Sequence, residues 1–419
     1  MTAPRPSLPQ TGTSADAVLA DMDRIRMGDT DWASPRNLTA SYYGGPDVAD
    51  IARAAFLRHI GDNVIQQAAL HPSVKTYERD VIDFTLSLFS APEGATGTIT
   101  TGGSESIALA LKTARDRARE LKGITAPEII VPQSGYAVFD KLAQMLGIRV
   151  IRMAESPGYR ADVAGMARAI SPNTILLLAS APPYPLGTID PVAEIAALAE
   201  QHGLWCHVDA CVGGFMLPFA RMLGQDIPDF DFAIPGVTSI SADLHKYGYA
   251  YRGCSVLCLR DKVLEQWQGF ATDAWNGGAY VSKTITGSRN AGPVASAWAV
   301  MHYLGVDGYK RLTGQIIAMR EAFLSGIRAM EGLEVVGTPQ GPHFAFAAPG
   351  FDILSIAGAL VDRGWGINLG VRPDCIILLP SAHHLDSAPE FLSDLEAIMA
   401  EARAGTLLPP SDPSIFGIY

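Results

Sequence analysis

Two alternating patterns of apolar residues run along most of the chain. Mostly apolar runs, uninterrupted by a regular alternation with polar residues, occur at 128–132, 173–180 and 204–210, and stretches with apolar residues every three or four positions lie between them. The uninterrupted runs predict strands that are covered on both faces, whereas the spaced pattern predicts amphipathic helices. Because the two alternate, we predict an α/β fold with a mostly parallel, doubly wound sheet.

The predicted strands share a high content of Val, Ile, Leu and Thr and stand before or after a helical stretch. In chain order they are ATGTITT, EIIVP, IRVIRM, NTILLLAS, LWCHVDA, VTSISAD and SVLCLR. The pattern changes near 305–310, where a long amphipathic helix over 308–330 leads to LEVVG, HFAFAA, a helix, CIILL and a last helix. This second part predicts a smaller α+β unit.

These changes divide the chain into three predicted parts. Residues 1–60 form an N-terminal segment, of which 1–15 are rich in Pro, Ser and Thr and are predicted to be disordered. Residues 61–305 form the large domain, and residues 306–419 form the small C-terminal domain.

Composition and charge exclude several classes of protein. The 419 residues carry a net charge of −11 and no clustered basic tract, which argues against nucleic acid as the main partner. No apolar run is long enough to cross a membrane, and the N-terminus lacks the features of a signal peptide. The five cysteines form no CxxC pair, so we expect reduced thiols in a cytoplasmic protein and no metal site.

Three predicted strand ends carry residues suited to one ligand, because parallel sheets bind ligands beyond the carboxyl ends of their strands. Gly102, Gly103 and Ser104 stand between a strand and a helix, where a phosphate can bind and Ser104 can cap the helix. Asp209 ends an apolar strand. Lys246 ends the next one, and we expect burial to lower its pKa.

Each of these features alone also fits an ordinary turn, a strand-end aspartate or a surface lysine. Together they fit a ligand with a phosphate, a ring nitrogen that needs a carboxylate, and an aldehyde that captures an amine. We therefore predict pyridoxal 5′-phosphate as the cofactor, with His245 as a further phosphate contact.

Several longer blocks resemble the sphingosine-1-phosphate lyase family, whose members have the fold-type I architecture of pyridoxal-phosphate enzymes and belong to the group II decarboxylases. The blocks are HVDACVGGF, FDFAIPGVTSISADLHKYGYAYRGCSVL and WNGGAYVSKTITGSRNAG, and GGSESIALA and YPLGTIDPVAEIAALA fit the same pattern. The resemblance runs from about Arg36 to about Leu395.

The resemblance implies roles for individual residues. Lys246 would bind the cofactor aldehyde, Asp209 the ring nitrogen, and Gly103, Ser104 and His245 its phosphate. Gly102 and Cys211 complete the candidate cofactor set. Members of the family are homodimers with shared active sites, and this implies that Gly287 and Ser288 reach the partner's cofactor. Tyr43 would lie near the substrate's phosphate.

The chain departs from the family at three places. Tyr136 stands where the family has a histidine on the cofactor ring, so it can stack but does not titrate near neutral pH. Arg252 replaces a lysine and keeps the positive charge. The family's substrate-phosphate histidine corresponds either to Gln67, by ungapped alignment, or to His71 after a small shift.

The resemblance implies retro-aldol cleavage of a phosphorylated sphingoid base to a long-chain aldehyde and phosphoethanolamine. The candidate bases are Tyr249, His207 and the substrate's own phosphate, although His207 can instead support the cofactor site. The alternatives are an α-decarboxylase of an amino acid, a lyase for a shorter β-hydroxy amino compound, and a non-catalytic scaffold with the same fold.

Overall fold

The computed structural model describes residues 5, 7–67 and 69–409. The predicted disorder at 1–15 falls partly on residues 1–4 and 6, which lie outside this description. Residues 7–14 contain no helix or strand, and α1 begins at Ala15.

A seven-stranded sheet forms the centre of the large domain, with the strand order β1-β9-β8-β7-β6-β2-β3. Its strands are β1 (Thr96–Thr100), β2 (Glu128–Pro132), β3 (Arg149–Met153), β6 (Thr174–Ser180), β7 (Trp205–Asp209), β8 (Ser239–Ala242) and β9 (Ser255–Leu259). The pairs from β3 to β8 are parallel, and β9 is antiparallel to both β8 and β1. The predicted α/β fold with a mostly parallel sheet is confirmed.

The chain before residue 330 also contains α-helices, most of which have buried residues. They are α1 (Ala15–Arg26), α2 (Pro46–Arg58), α3 (Pro72–Leu88), α4 (Gly103–Lys122), α5 (Val138–Leu146), α6 (Val163–Ala169), α7 (Val192–Gln201), α8 (Leu217–Met222), α9 (Glu265–Gln268) and α10 (Gly292–Ala329). Two short hairpins join them, β4–β5 (Glu155–Ser156 and Arg160–Ala161) and β10–β11 (Phe270–Thr272 and Tyr280–Ser282). The apolar pattern did not predict either hairpin.

The continuous apolar sequence of the central strands follows from their burial. All seven residues of β6 and all five of β7 are buried, because helices cover both faces of the sheet. Within the parallel register, Ser180 lies opposite Asp209, and Asp209 lies opposite Ser241. The carboxyl ends of β6, β7 and β8 therefore coincide at one edge.

The C-terminal part contains a separate antiparallel sheet of four strands, in the order β12-β13-β15-β14. Its elements are β12 (Glu334–Val335), β13 (Phe344–Ala347), α11 (Ile353–Asp362), β14 (Asn368–Val371), β15 (Asp374–Leu378) and α12 (Ala388–Ala404). The helix predicted over 308–330 begins earlier, at Gly292, and Gly305 interrupts it with φ 53°. The predicted domain border at 305/306 falls at this kink and stays a prediction.

Two further features of the structure concern the cysteines and the length of the helices. All five cysteines are buried and free in the structure, and their reduced state stays a prediction. Among the described helices, none is long and apolar enough to cross a membrane.

The loop after β7 packs tightly against the end of β6. A Cβ atom added to Gly213 would lie 2.2 Å from the backbone oxygen of Ala181, and one added to Gly214 would lie 2.7 Å from the Cβ of Ala242. Because backbone atoms cannot move aside as a flexible side chain can, this approach requires glycine at position 213.

We expect Gly213→Ala to destabilise the fold by about 1–3 kcal/mol, since the added methyl overfills a packed region. Denaturant unfolding measures the change. Gly61→Ala is the matched control, because its added Cβ meets no atom within 4 Å. Equal midpoints for both variants would contradict the packing argument.

Candidate active site

A cavity of about 440 Å³ opens at the carboxyl ends of β6, β7 and β8. It brings together nine of the residues that the sequence predicted: Gly102, Gly103, Ser104, Tyr136, Asp209, Cys211, His245, Lys246 and Arg252. Its size suits a small-molecule ligand. We call it the lysine cavity.

Lys246 lies in the lysine cavity with its Nζ atom 2.9 Å from Oδ2 of Asp243. Burial alone would lower the pKa of the Lys246 ammonium group, but the Asp243 carboxylate opposes burial and raises that pKa well above its usual value. The sequence-based expectation of a lowered pKa was therefore wrong. It considered burial alone and did not include a carboxylate three residues earlier in the chain.

Asp243 is a buried carboxylate with one oxygen engaged and one free. Burial raises the pKa of Asp243, but the positive charges of Lys246 and His245 lower it overall. Its Oδ2 atom accepts from Lys246, whereas Oδ1 is buried without a hydrogen-bond partner among the described residues. A buried charge with an unused oxygen is costly unless a ligand completes the site.

Asp209 ends β7 at the floor of the lysine cavity. Its Oδ1 atom accepts a hydrogen bond from the backbone N–H of Cys211 at 3.0 Å. Burial raises the pKa of the Asp209 carboxyl group, and the N–H bond only partly offsets this effect. A cationic or protonated group in the cavity would therefore stabilise its charged form.

The glycine turn joins β1 to α4 beside these carboxylates. The helix begins at Gly103, and its N-cap is Gly102 with φ 153°, so the predicted capping role of Ser104 was wrong. A Cβ atom on Gly103 would lie 2.9 Å from both Oδ1 of Asp243 and Sγ of Cys211. The first N–H groups of a helix have no partner within it, and here they face a cavity that has room for an anion.

A second cavity of about 310 Å³ adjoins the lysine cavity and shares Tyr42, His245 and Arg252 with it. We call it the arginine cavity. Tyr43 lines it, as predicted for a substrate contact, and so does Arg53. The guanidinium group of Arg252 lies 5.7 Å from the ring centre of Tyr42 and donates to the backbone oxygen of Ala40 at 3.0 Å.

Two of the predicted bases lie away from the lysine cavity. His207 is fully buried between the hydroxyl groups of Ser239 and Ser241, and burial lowers the pKa of its imidazole to about 3. Tyr249 lines only the arginine cavity, and burial raises its pKa. Neither group lines the lysine cavity, so neither is placed to take a proton near Lys246.

The remaining predicted residues lie outside both cavities. Gln67 donates from Nε2 to Glu78 at 2.9 Å, and Nδ1 of His71 lies 3.4 Å from Asp62. Neither lines the arginine cavity or the lysine cavity. Gly287 and Ser288 follow the β10–β11 hairpin, and Ser288 is exposed.

The lysine cavity fits pyridoxal phosphate through the chemistry of the side chains and backbone groups that line it. Lys246 offers an amine, Asp209 a buried carboxylate in need of a cation, and the start of α4 a set of N–H donors. The unpartnered Oδ1 of Asp243 adds a further acceptor. These groups surround one space of suitable size.

Comparison with known proteins agrees with this fit. The family model of the pyridoxal-dependent decarboxylase conserved domain matches residues 2–348. The chain is similar to the sphingosine-1-phosphate lyase of Oryza sativa subsp. japonica, with 38% identity over 94% of this chain and 74% of the relative. The chain belongs to the pyridoxal-dependent decarboxylase family. The chain is a lyase that depends on pyridoxal 5′-phosphate as its cofactor.

Within this family, the chain is similar to both lyases and decarboxylases. The solved structure of the Burkholderia pseudomallei sphingosine-1-phosphate lyase superposes with a TM-score of 0.92 and 33% identity, covering 96% of this chain and 94% of that one. The L-aspartate/L-glutamate decarboxylase of Pyrococcus horikoshii is 31% identical over 84% of this chain and 89% of its own. The resemblance to the sphingosine-1-phosphate lyases is confirmed.

Three residues that line the lysine cavity were not predicted from the sequence: Asp243, Tyr42 and Glu105. Asp243 directly follows β8 as Asp209 ends β7, so a carboxylate at a strand end was a signal available in the sequence. Tyr42 lies in an irregular segment with φ 52°, for which no periodic pattern exists. Glu105 resembles an ordinary charge in the first turn of a helix.

We expect Asp243→Asn to lower the pKa of Lys246, because burial then acts without the opposing carboxylate. Only the neutral amine captures an aldehyde, so the rate of cofactor capture should reach its midpoint at lower pH than in the wild-type chain. Stopped-flow absorbance after mixing the cofactor-free protein with pyridoxal phosphate measures this profile.

The control for this experiment is Asp307→Asn, which removes an exposed carboxylate on α10. It should leave the midpoint in place. A wild-type profile in Asp243→Asn would overturn the assignment of Asp243 as the group that controls the charge of Lys246.

Proposed function

We propose that the chain cleaves sphingosine 1-phosphate, or a similar phosphorylated sphingoid base, to a long-chain aldehyde and phosphoethanolamine. The observation that carries this proposal is that the two cavities adjoin and share lining residues. Arg252 and His245 line both, so a substrate whose amine meets Lys246 can place an anionic group beside Arg252 and Tyr43. The names of the relatives support the same substrate class.

We assign the cofactor contacts from the residues of the lysine cavity. Asp209 would hold a proton on the ring nitrogen, and Tyr136, which is half exposed at the cavity wall, would stack on the ring. Gly103, Ser104 and His245 would hold the phosphate, with Gly102 and Cys211 beside them. When bound, the cofactor supplies an aldehyde that captures amines and a ring that takes up the electron pair released at the substrate's α-carbon.

The reaction breaks the bond between the α-carbon and the β-carbon of the substrate. The β-hydroxyl group loses its proton and becomes the aldehyde, and the α-carbon gains a proton. Tyr42 lines both cavities, and burial raises its pKa, so its hydroxyl group is protonated at neutral pH and can donate. The substrate's own phosphate remains a candidate for the base.

Arg252 holds the anionic group through a guanidinium that is already oriented. One of its nitrogens donates to the backbone of Ala40, and its plane lies near the ring of Tyr42. A guanidinium offers paired donors to a phosphate, so replacement of the family's lysine by arginine keeps this interaction.

An amino-acid α-decarboxylase is the second candidate, because the similarity to the Pyrococcus horikoshii decarboxylase also covers most of both chains. It would use the same Lys246 and Asp209. Contacts in the arginine cavity select the bond that breaks, since only the substrate's orientation over the ring differs between the two reactions. A shorter β-hydroxy amino compound would leave part of that cavity unfilled.

We propose in addition that the protein is a cytoplasmic homodimer with shared active sites. Five free cysteines fit a reducing compartment. Phe270, Trp275, Val281 and Ile285 are each at least 56% exposed around the β10–β11 hairpin, next to Gly287 and Ser288. Exposed apolar side chains grouped in this way are typical of a surface that another chain covers.

A product assay separates the candidate reactions. Purified holoenzyme with phosphorylated sphingoid base should release a long-chain aldehyde, and Lys246→Ala should lower turnover by orders of magnitude and abolish the visible absorption of the captured cofactor. Release of carbon dioxide from an amino-acid panel without any aldehyde would favour the decarboxylase. Unchanged turnover in Lys246→Ala would contradict the site itself.

Mixing two inactive variants tests the shared site. Lys246→Ala and Ser288→Asp each disable a dimer, but a mixed dimer contains one site with an intact lysine and an intact partner segment. After random exchange of equal amounts, half of the dimers are mixed and each has one active site of two. We therefore expect about a quarter of the wild-type activity from the statistics of mixing alone. Absence of any recovery in verified mixed dimers would argue against sharing.

A further inference from the structure

Glu105 is a buried carboxylate that the proposed chemistry does not use. Its side chain lies in the first turn of α4 beside the lysine cavity, and the residue is 8% exposed. A buried charge requires several strong partners, because burial otherwise favours the neutral form. Those partners come from two separate parts of the chain.

The first part is the glycine turn. The Oε2 atom of Glu105 accepts hydrogen bonds at 2.7 Å from both the backbone N–H and the Oγ1 hydroxyl of Thr101. Thr101 immediately precedes Gly102 and Gly103. One oxygen of Glu105 therefore holds the backbone whose N–H groups face the cofactor phosphate.

The second part is the segment after the β10–β11 hairpin. The Oε1 atom accepts from the backbone N–H of Ile285 at 2.8 Å, from that of Thr286 at 2.9 Å, and from the Thr286 hydroxyl at 3.1 Å. These residues immediately precede Gly287 and Ser288. The second oxygen therefore holds the segment that we assign to the partner's site.

Arg289 attaches the far end of the same segment. Its guanidinium donates to Glu78 at 2.8 Å, to the Thr284 hydroxyl at 3.2 Å and to the backbone oxygen of Ile99 at 3.3 Å. Gly287 is half-buried and Ser288 is exposed, and both lie between residues that Glu105 and Arg289 hold in place.

Glu105 is charged at neutral pH despite its burial. Burial raises the pKa of its carboxyl group, but hydrogen bonds from Thr101 and Thr286 outweigh burial and lower the pKa overall. Each of its contacts is therefore a charge-assisted hydrogen bond, which is stronger than one between neutral groups.

We propose that Glu105 is a positioning residue that joins the glycine turn of its own active site to the 284–289 segment that reaches the partner's active site. A change at Glu105 then alters cofactor binding in both subunits, through the hydrogen bonds that its side chain makes within its own chain. This inference rests on the proposed shared site of the homodimer. It adds a route by which one site affects the other.

Heterodimers with a single intact lysine test this inference. Two affinity tags isolate a control dimer, wild type with Lys246→Ala, and a test dimer, wild type with the double variant Lys246→Ala/Glu105→Gln. In both dimers, only the wild-type subunit captures the cofactor covalently. The cofactor-free dimer is titrated with pyridoxal phosphate. The visible absorption of the cofactor captured by the wild-type subunit then gives the dissociation constant of that one site.

We expect the dissociation constant in the test dimer to be about tenfold higher, which is the usual effect of losing one charge-assisted hydrogen bond. Glutamine keeps the shape of Glu105 but presents an NH₂ group to N–H and O–H donors on one side. Thr286→Val in place of Glu105→Gln should give a smaller change in the same direction. Thr286→Val removes only the hydroxyl contact and leaves the glycine turn intact. It can therefore replace Glu105→Gln in the test if that variant does not fold.

Glu93→Gln, placed in the Lys246→Ala subunit, is the matched control because it removes an exposed carboxylate before β1. It should leave the dissociation constant unchanged. Equal constants in the control dimer and in both test dimers would overturn the proposal. So would a defect that appears only when Glu105→Gln is in the lysine-bearing subunit.

The readout separates this inference from the proposed reaction. It measures cofactor binding, so it gives an answer even if the substrate proves to be an amino acid. Failure to release aldehyde would overturn the proposed function and leave the heterodimer result unaffected.

Discussion

The active site depends on two buried carboxylates at the ends of neighbouring parallel strands. Asp209 ends β7, and Asp243 follows β8, one strand away in the same sheet. Both are buried, and both line the lysine cavity together with the ammonium group of Lys246. Two negative charges so placed require positive charge, and this requirement explains why the site holds a lysine and accepts a protonated heteroaromatic ring.

The same requirement affects how the cofactor binds. Lys246 and Asp243 form an ion pair at 2.9 Å, so the lysine must give up its proton before it reacts with an aldehyde. His245 lies beside the same carboxylate, with Nε2 3.8 Å from Oδ2 of Asp243, and would remain beside it once Lys246 holds the cofactor. Capture of the cofactor by Lys246 would therefore change the balance of charge at the strand ends.

We propose that substrate specificity lies in a different part of the molecule. The arginine cavity is built from the irregular segment around Tyr42 and Tyr43, from α2, and from the residues after Lys246. Its walls contain aromatic rings and small apolar side chains, and guanidinium groups lie at its edge. This combination suits a substrate with an anionic end, whereas the strand ends would serve any substrate with a primary amine.

The sequence by itself determined the class of fold, the strands of the main sheet and the location of Lys246 and Asp209 at the strand ends. These follow from local patterns: a buried parallel strand is a continuous apolar run, and its last residue lies at the ligand-binding edge. It could not determine the charge state of Lys246, the buried positions of His207 and Tyr249, or the contacts of Glu105. Those depend on groups that are distant in the chain, such as Thr286 beside Glu105, or on the depth at which a side chain is buried. Only the tertiary structure brings such groups together, because pKa values and hydrogen bonds are set by neighbours in space.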